Sequence, residues 1–256
     1  MKSSVSRAVV AASVTVALGL TAACGGDSGD SGSSGSSGDG GSRADSGSSR
    51  DGDKKSSQKP APAEKKSTAL TAADLEKAVL AKGDLKGHKI EKLSAADMPS
   101  QTVPADPAAC QPFADMFMFA SQPAAKSRVG RTVTGPDALD ATVSSLALLA
   151  HEQADAEKVM DDLRTATKKC TAYEHADSKY RDVAALTAPK AGDDAVSYKV
   201  VGVIEGQRTP MSFTVVRSGS TLAAFYSINL LKPKKFGVPT EIVEAQVKEL
   251  KELKEL

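Results

Sequence analysis

All aromatic residues of this 256-residue chain lie after position 112. Six Phe and four Tyr are present, without Trp, and the first of them is Phe113. Half of the 20 glycines, by contrast, lie between Gly25 and Gly52 in a stretch rich in Ser and Asp. Such a stretch cannot bury enough apolar surface to offset the entropy lost on ordering. The sequence therefore predicts a folded domain over residues 67–256, roughly 190 residues, which is one domain of ordinary size.

The first residues are typical of an export signal. Lys2 and Arg7 precede an apolar run from Ala8 to Leu20, which is shorter than the roughly 20 residues that a membrane-spanning helix needs. The run ends in Leu20-Thr21-Ala22-Ala23-Cys24-Gly25, which resembles a bacterial lipobox, although Thr21 stands where Leu is usual. This pattern predicts a signal peptide over residues 1–23 and a lipid on Cys24. The alternative is an ordinary cleaved signal with an incidental cysteine.

Residues 24–66 have the composition of a disordered linker between a lipid anchor and the domain. Acidic residues predominate near Cys24, lysines predominate near the domain, and Gly and Ser make the chain flexible. We expect this tether to act as a spacer that lifts the domain from the lipid surface. Contact of its Lys-rich end with wall polymers is the alternative.

With Cys24 lipidated, Cys110 and Cys170 are the two remaining cysteines. Because an even number of cysteines is left and the compartment outside the cytoplasm is oxidising, we expect one disulfide between these two residues. The alternative is a free catalytic thiol, for which the spacing indicates no partner His.

Apolar periodicity divides the domain into helices and antiparallel strands. Helices are predicted over 71–80, 110–119, 154–170 and from 239 onwards, and strands over 128–134, 142–150, 196–200, 211–215 and 222–228. The final Lys-Glu-Leu repeat has a period of three, so we expect the last helical turns to leave the core. These elements predict an α+β fold, an antiparallel β-sheet with helices packed on it.

The polar residues form no recognisable catalytic or metal motif. His151-Glu152 begins like a zinc motif, but Asp155 stands where its second His belongs. Arg217 continues the apolar face of Met211, Phe213 and Val215, so it is the candidate for clamping an anionic ligand. The alternative is a charge that reaches solvent at the strand end. No cofactor and no metal site is predicted.

The order of these features resembles that of actinobacterial extracytoplasmic sensor-domain lipoproteins. These are similar to the extracellular sensor domain of mycobacterial receptor Ser/Thr kinases. The resemblance is carried by the lipobox, the tether, the two Cys-bounded helices, the turn at Gly192-Asp193-Asp194 and Val215-Val216-Arg217-Ser218-Gly219. This chain departs from the kinase-type domain in two ways. It lacks a second Cys pair, and Lys169 precedes the later Cys where the kinase-type domain has Trp. The resemblance implies ligand binding or sensing without catalytic residues.

We therefore expect a non-catalytic, sensor-like domain lipid-anchored at the extracytoplasmic face of the membrane. Its expected partners are the membrane, through the N-terminal lipid, and a small molecule, a lipid or an envelope protein. Near-zero net charge gives no reason to expect nucleic acid. The alternatives are a structural or protein-interaction module and an envelope hydrolase of unrecognised type. A Ser-His-Asp triad stays open at this point, because its members need not be neighbours in sequence.

Overall fold

A computed structural model describes residues 69–99, 101–136, 141–204, 206–229, 231 and 236–254. The predicted signal peptide, Cys24 and the predicted linker lie outside these residues. The helices are α1 (Ala72–Ala78), α2 (Gln111–Phe117), α3 (Gln153–Lys169) and α4 (Thr240–Lys254). The strands are β1 (Lys89–Lys92), β2 (Ser127–Thr134), β3 (Thr142–Ala150), β4 (Tyr173–His175), β5 (Ser178–Leu186), β6 (Asp194–Ile204), β7 (Gln207–Ser218) and β8 (Thr221–Asn229).

The eight strands form one sheet in the order β1-β2-β3-β8-β7-β6-β5-β4, and all neighbours are antiparallel. Strands that are consecutive in sequence lie side by side except at the centre, where β3 pairs with β8. Helix α3 follows β3 and leads the chain across to the far edge, where β4 begins. The predicted α+β fold, an antiparallel sheet with helices packed on it, is confirmed.

Helices cover both faces of the sheet. On one side, which we call the α2/α3 face, Tyr198 and Phe213 pack against Met160 and Leu163 of α3 in the larger apolar cluster. On the other side, the α1/α4 face, a second cluster joins Leu75 of α1 and residues of α4 to the opposite side chains of β2, β3, β7 and β8. Alternate side chains of the central strands therefore enter two separate cores.

The helix ends follow the sequence. The hydroxyl of Thr71 accepts a hydrogen bond from the backbone N–H of Asp74 at 3.2 Å and so caps α1. At the C-terminus the prediction that the last turns leave the core is wrong as far as Leu253. Leu250 is buried and Leu253 packs half-buried against the core of the α1/α4 face, because α4 remains regular through both positions.

Candidate functional site

A cavity of about 430 Å³ lies between α2, α3 and the segment that follows α2. Its apolar wall is formed by Pro112 and Met116 of α2, Pro123 of the following segment and Val159 of α3. Small-molecule sites in proteins have this range of volume and a mainly apolar lining with few polar groups. This cavity is the candidate site.

Asp115 is the buried polar group of this cavity. It lines the cavity on α2 and is only 3% exposed. The amide nitrogen of Gln111 donates a hydrogen bond to Oδ1 of Asp115 at 2.7 Å. Burial raises the pKa of the Asp115 carboxyl above its ordinary value, and the Gln111 bond only partly opposes this effect. A carboxyl group whose pKa is shifted by burial in a cavity wall is a candidate functional group.

Gln111 is itself held in one orientation by the backbone. Its Oε1 accepts a hydrogen bond from the N–H of Ala105 at 2.8 Å, and its Nε2 also donates to the carbonyl of Val103 at 3.0 Å. One helical turn separates Gln111 from Asp115, so the two side chains lie on the same face of α2. The amide group of Gln111 that donates to Asp115 is therefore held in a fixed position.

The mouth of the cavity carries a neutralised ion pair. Lys158 Nζ lies 2.7 Å from Asp162 Oδ2, and both residues belong to α3. Their side chains are 58% and 38% exposed, so water screens the pair and its contribution to stability is small. Of the charged residues that line the cavity, Asp115 is the one without an ionic partner.

A second cavity, of about 480 Å³, shares Ser121, Gln122 and Pro123 with the first. Arg128 is the charged residue in its lining. Its guanidinium donates to the carbonyls of Phe119 at 2.8 Å and of Pro99 at 3.1 Å. Backbone carbonyls engage both terminal nitrogens of Arg128, so fewer of its five N–H donors are left for recognition of an anion.

Ser121 and His151 form a buried pair behind the shared wall. His151 Nε2 lies 3.4 Å from Ser121 Oγ, and that hydroxyl donates to the carbonyl of Pro123 at 2.9 Å. Burial lowers the pKa of His151 to about 4, so the ring is neutral at pH 7. Nε2 carries the hydrogen, since the Ser121 hydroxyl already donates elsewhere, and Nδ1 has no partner.

This pair lacks the arrangement of a hydrolase. An activated serine donates to a histidine nitrogen, and a carboxylate orients the other nitrogen of that ring. Here the Ser121 hydroxyl donates to Pro123, and Nδ1 of His151 faces no carboxylate within hydrogen-bond distance. The pair is better explained as a structural contact between β3 and the segment after α2.

The predicted disulfide is present. Cys110 and Cys170 are bonded, with their Cα atoms 5.3 Å apart, and both are buried. The bond joins the residue before α2 to the residue after α3. It therefore ties together the two helices between which the cavity lies.

Arg217 lies away from the cavity, at the end of β7. It points to the α2/α3 face, where its Nη1 donates to the carbonyl of Gly219 at 3.1 Å and lies 3.6 Å from Asp193 Oδ2. The same carboxylate accepts the N–H of Gly219 at 2.6 Å. Arg217 and Asp193 thus tie the β7–β8 turn to the start of β6. Binding of an anion by Arg217 stays a prediction.

The acidic turn before β6 has protein partners as well. Asp194 pairs with Arg164 of α3. Within the described residues no group of three or more His, Cys, Asp or Glu side chains is placed to hold a metal ion. In that same part of the chain, no helix is long and apolar enough to cross a membrane.

Solved structures of similar architecture include two mycobacterial proteins. The extracellular domain of PknH from Mycobacterium tuberculosis has a TM-score of 0.47 and 8% identity, with 74% of this chain and 99% of that domain covered. The Rv0999 ortholog from Mycobacterium smegmatis has a TM-score of 0.37 and 11% identity, over 72% and 93% of the two chains. The expected resemblance to the extracellular domain of mycobacterial receptor kinases is thus also found among solved structures. Because both TM-scores are below 0.5, the similarity supports no conclusion about a ligand or a partner.

No protein-family model matches this sequence, and no curated protein matches it.

Sequence reasoning missed Asp115 and Gln111. In the sequence Gln111-Pro-Phe-Ala-Asp115-Met-Phe, Asp115 has the position of an ordinary polar residue on the solvent side of a short amphipathic helix. The spacing of four between an amide and an acid was the available signal. It does not reveal that α3 and the segment after α2 enclose that side.

Proposed function

We propose that the chain is a non-catalytic binding domain of the cell envelope that takes a small molecule with an apolar body in the α2–α3 cavity. The observation that carries this proposal is the apolar cavity of about 430 Å³ with a buried carboxyl group in its wall. Enclosure by apolar side chains supplies affinity, and one fixed polar group supplies orientation.

Anchoring by a lipid on Cys24, outside the cytoplasmic membrane, is the second part of the proposal. The lipobox-like sequence before Cys24 supports it, and so does the Cys110–Cys170 bond, because disulfides persist in oxidising compartments. Acyl chains hold a protein at a bilayer at about 0.8 kcal/mol for each buried methylene group. A ligand-binding domain at this place would meet molecules of the envelope before they reach the membrane.

Native mass spectrometry of the intact protein from its own envelope tests the binding function. We expect an added mass that disappears on denaturation. Pro112→Trp places a large ring at the cavity wall in the first turn of α2, so this variant should carry no added mass. Ala109→Trp introduces the same ring at an exposed position outside the cavity lining and should retain it. A bare wild-type mass would contradict the proposal and favour a protein-interaction module.

Fractionation of cells tests the anchor. Cys24→Ala should release the protein from the membrane fraction, because no acyl chain can be attached. Retention of Cys24→Ala in membranes would contradict the lipobox interpretation, while the binding function would be unaffected by that result.

A further inference from the structure

We infer that the α2–α3 cavity selects organic cations, molecules with an apolar body and an ammonium head that binds Asp115. This inference rests on the proposed binding function and adds the chemical class of the ligand. It starts from a single feature, an acidic side chain buried in an apolar cavity with one hydrogen bond from the protein.

The charges of the cavity favour a cationic head. Asp115, Lys158 and Asp162 are its charged lining residues, and Lys158 and Asp162 neutralise each other at the mouth. The carboxylate of Asp115 therefore carries the unbalanced charge. A buried carboxylate without a cation is costly, and a ligand cation removes that cost upon binding.

The hydrogen bonds favour a donor-rich head. An ionised carboxylate accepts about four hydrogen bonds through its two oxygens. Gln111 supplies one of them, to Oδ1, and the described residues supply no other. An ammonium group brings three donors of compact size, so it can engage both oxygens of Asp115 while Gln111 remains bound.

The nearby basic groups do not match an anionic head. Lys158 is engaged by Asp162, and Arg128, across the shared wall, is engaged by backbone carbonyls. His151 is neutral at pH 7, since its pKa is about 4. An anion in the cavity would face Asp115 without compensation, and a neutral hydroxyl group would leave its charge unbalanced.

The test compares three ligands that share one alkyl chain: octylamine, octanol and octanoate. The protein is the mature chain, residues 24–256, with Cys24→Ser, and binding is followed at neutral pH by NMR titration of its amide signals. At that pH octylamine is protonated and octanoate is ionised. We expect octylamine to bind about tenfold or more tightly than octanol, and octanoate to bind most weakly. The affected amides should lie in α2 and α3.

Two acidic variants locate the recognition. Asp115→Asn preserves the size of the side chain and an acceptor for Gln111 but removes the charge, so it should abolish the preference for octylamine over octanol. Asp162→Asn changes the net charge of the lining by the same amount, but the Lys158 that it frees is 58% exposed and screened by water, so this variant should leave most of the preference intact. Unchanged amide dispersion in the free variants shows that each of them is folded.

A carboxyl-detected NMR titration gives a second measurement that needs no variant. Binding of octylamine should lower the pKa of Asp115, because a cation stabilises the ionised form. An unchanged pKa in the saturated complex would overturn the inference.

The outcomes separate this inference from the proposed function. Equal binding of all three ligands in the cavity, unaffected by Asp115→Asn, would overturn selection of cations and leave an apolar binding site. Loss of the preference with Asp162→Asn but not with Asp115→Asn would also overturn it. Absence of binding by all three, together with a bare mass of the native protein, would overturn both.

Discussion

The two faces of the sheet are built by different means. Eight of the ten aromatic residues lie on the α2/α3 face, whereas the core of the α1/α4 face is almost entirely aliphatic. The buried side-chain atoms without a hydrogen-bond partner, among the described residues, also lie on the α2/α3 face: His151 Nδ1, His175 Nδ1, Tyr198 OH and Arg217 Nε. The candidate cavity belongs to the same face.

The α1/α4 face buries polar groups too, but it pairs them. Gln246, which is fully buried in α4, accepts from the N–H of Leu80 at 3.0 Å and donates to the carbonyl of Ala78 at 2.6 Å. Arg131 donates to the carbonyl of Leu80 at 3.1 Å and to Glu76 at 2.8 Å. Hydroxyl pairs across neighbouring strands add to this set: Ser144 with Ser227 and Ser197 with Thr214.

The difference agrees with the proposed binding function, which assigns binding to the α2/α3 face and a structural role to the α1/α4 face. A buried polar group without a partner costs free energy, which a region with a purely structural role has no reason to bear. The buried polar groups named on the α1/α4 face are paired, and its cavities are smaller, about 250 and 140 Å³. The α2/α3 face has the cavity of about 430 Å³, a carboxyl group without an ionic partner and unpaired polar atoms. Stability is commonly given up at sites that bind or react.

Loss of the disulfide should have the largest effect. Replacing both Cys110 and Cys170 with Ala should lower the free energy of unfolding by about 4 kcal/mol, since the bond closes a loop with a sequence separation of 60. It should also weaken ligand binding, because α2 and α3 lose their covalent link. Urea denaturation measures the change. A loss below about 1 kcal/mol would mean that packing alone holds these helices.

Acid should destabilise the α2/α3 face through His151. The pKa of this ring is about 4 in the folded chain against an ordinary value of 6.5. Its contribution is therefore intact above pH 6.5 and is lost as the pH falls towards 4, by about 3 kcal/mol in total. His151→Gln should lose less stability than wild type between neutral pH and pH of about 4.5. Equal losses in urea titrations would contradict the prediction.

Removal of a paired polar group on the α1/α4 face should cost about 2 kcal/mol. Gln246→Leu leaves the N–H of Leu80 and the carbonyl of Ala78 buried without partners. Glu244→Leu, at an exposed position of the same helix, is the control and should change stability by less than about 0.5 kcal/mol. Similar values for the two variants would show that this face gains little from its hydrogen bonds.

Removal of an unpaired polar group on the α2/α3 face should have the smallest effect and the opposite sign. Tyr198→Phe deletes a hydroxyl that has no partner and keeps the ring stacked on Phe213, with centroids 4.9 Å apart. We expect a gain in stability of up to about 1 kcal/mol, measured by thermal unfolding. A loss of that size would reveal a partner for the hydroxyl and weaken the contrast between the faces.

The sequence identified the regular elements and missed the irregular ones. Strands β6, β7 and β8 are long, and apolar residues occupy every second position over 196–200, 211–215 and 222–228, so their period of two stands out. Strand β5 was missed because its register shifts between Arg181 and Ala184, and Asp182 has a positive φ of 55°. Its buried residues Tyr180 and Val183 are therefore three positions apart rather than two.

The shortest strands gave no pattern at all. Strand β4 has three residues, and in the four-residue β1 Ile90 is the one side chain that is even partly buried. Edge strands of this length can be identified only from the strands with which they pair, and those strands lie outside a local window of sequence.

The candidate site was less accessible to sequence reasoning than the fold. Pairing of Cys110 with Cys170 followed from counting, and the core-facing direction of Arg217 followed from alternation along β7. The sequence did not reveal that Asp193 would meet Arg217, or that α3 would enclose Asp115. Both depend on contacts between elements that are distant in the chain, whereas periodicity reports only on neighbours.

Pairing of β3 with β8 at the centre of the sheet has a consequence for the order of folding. Val143 meets Ile228 across this seam, so the two halves of the sheet join through residues that are far apart in sequence. Hairpins such as β2–β3 and β7–β8 close short loops and can form early, while the seam must close a long one at a higher entropic cost. Until β8 arrives, one edge of β3 has exposed backbone groups and apolar side chains, which makes the half-built sheet a template for association between chains. Prompt arrival of the C-terminal hairpin therefore protects the folding chain from aggregation.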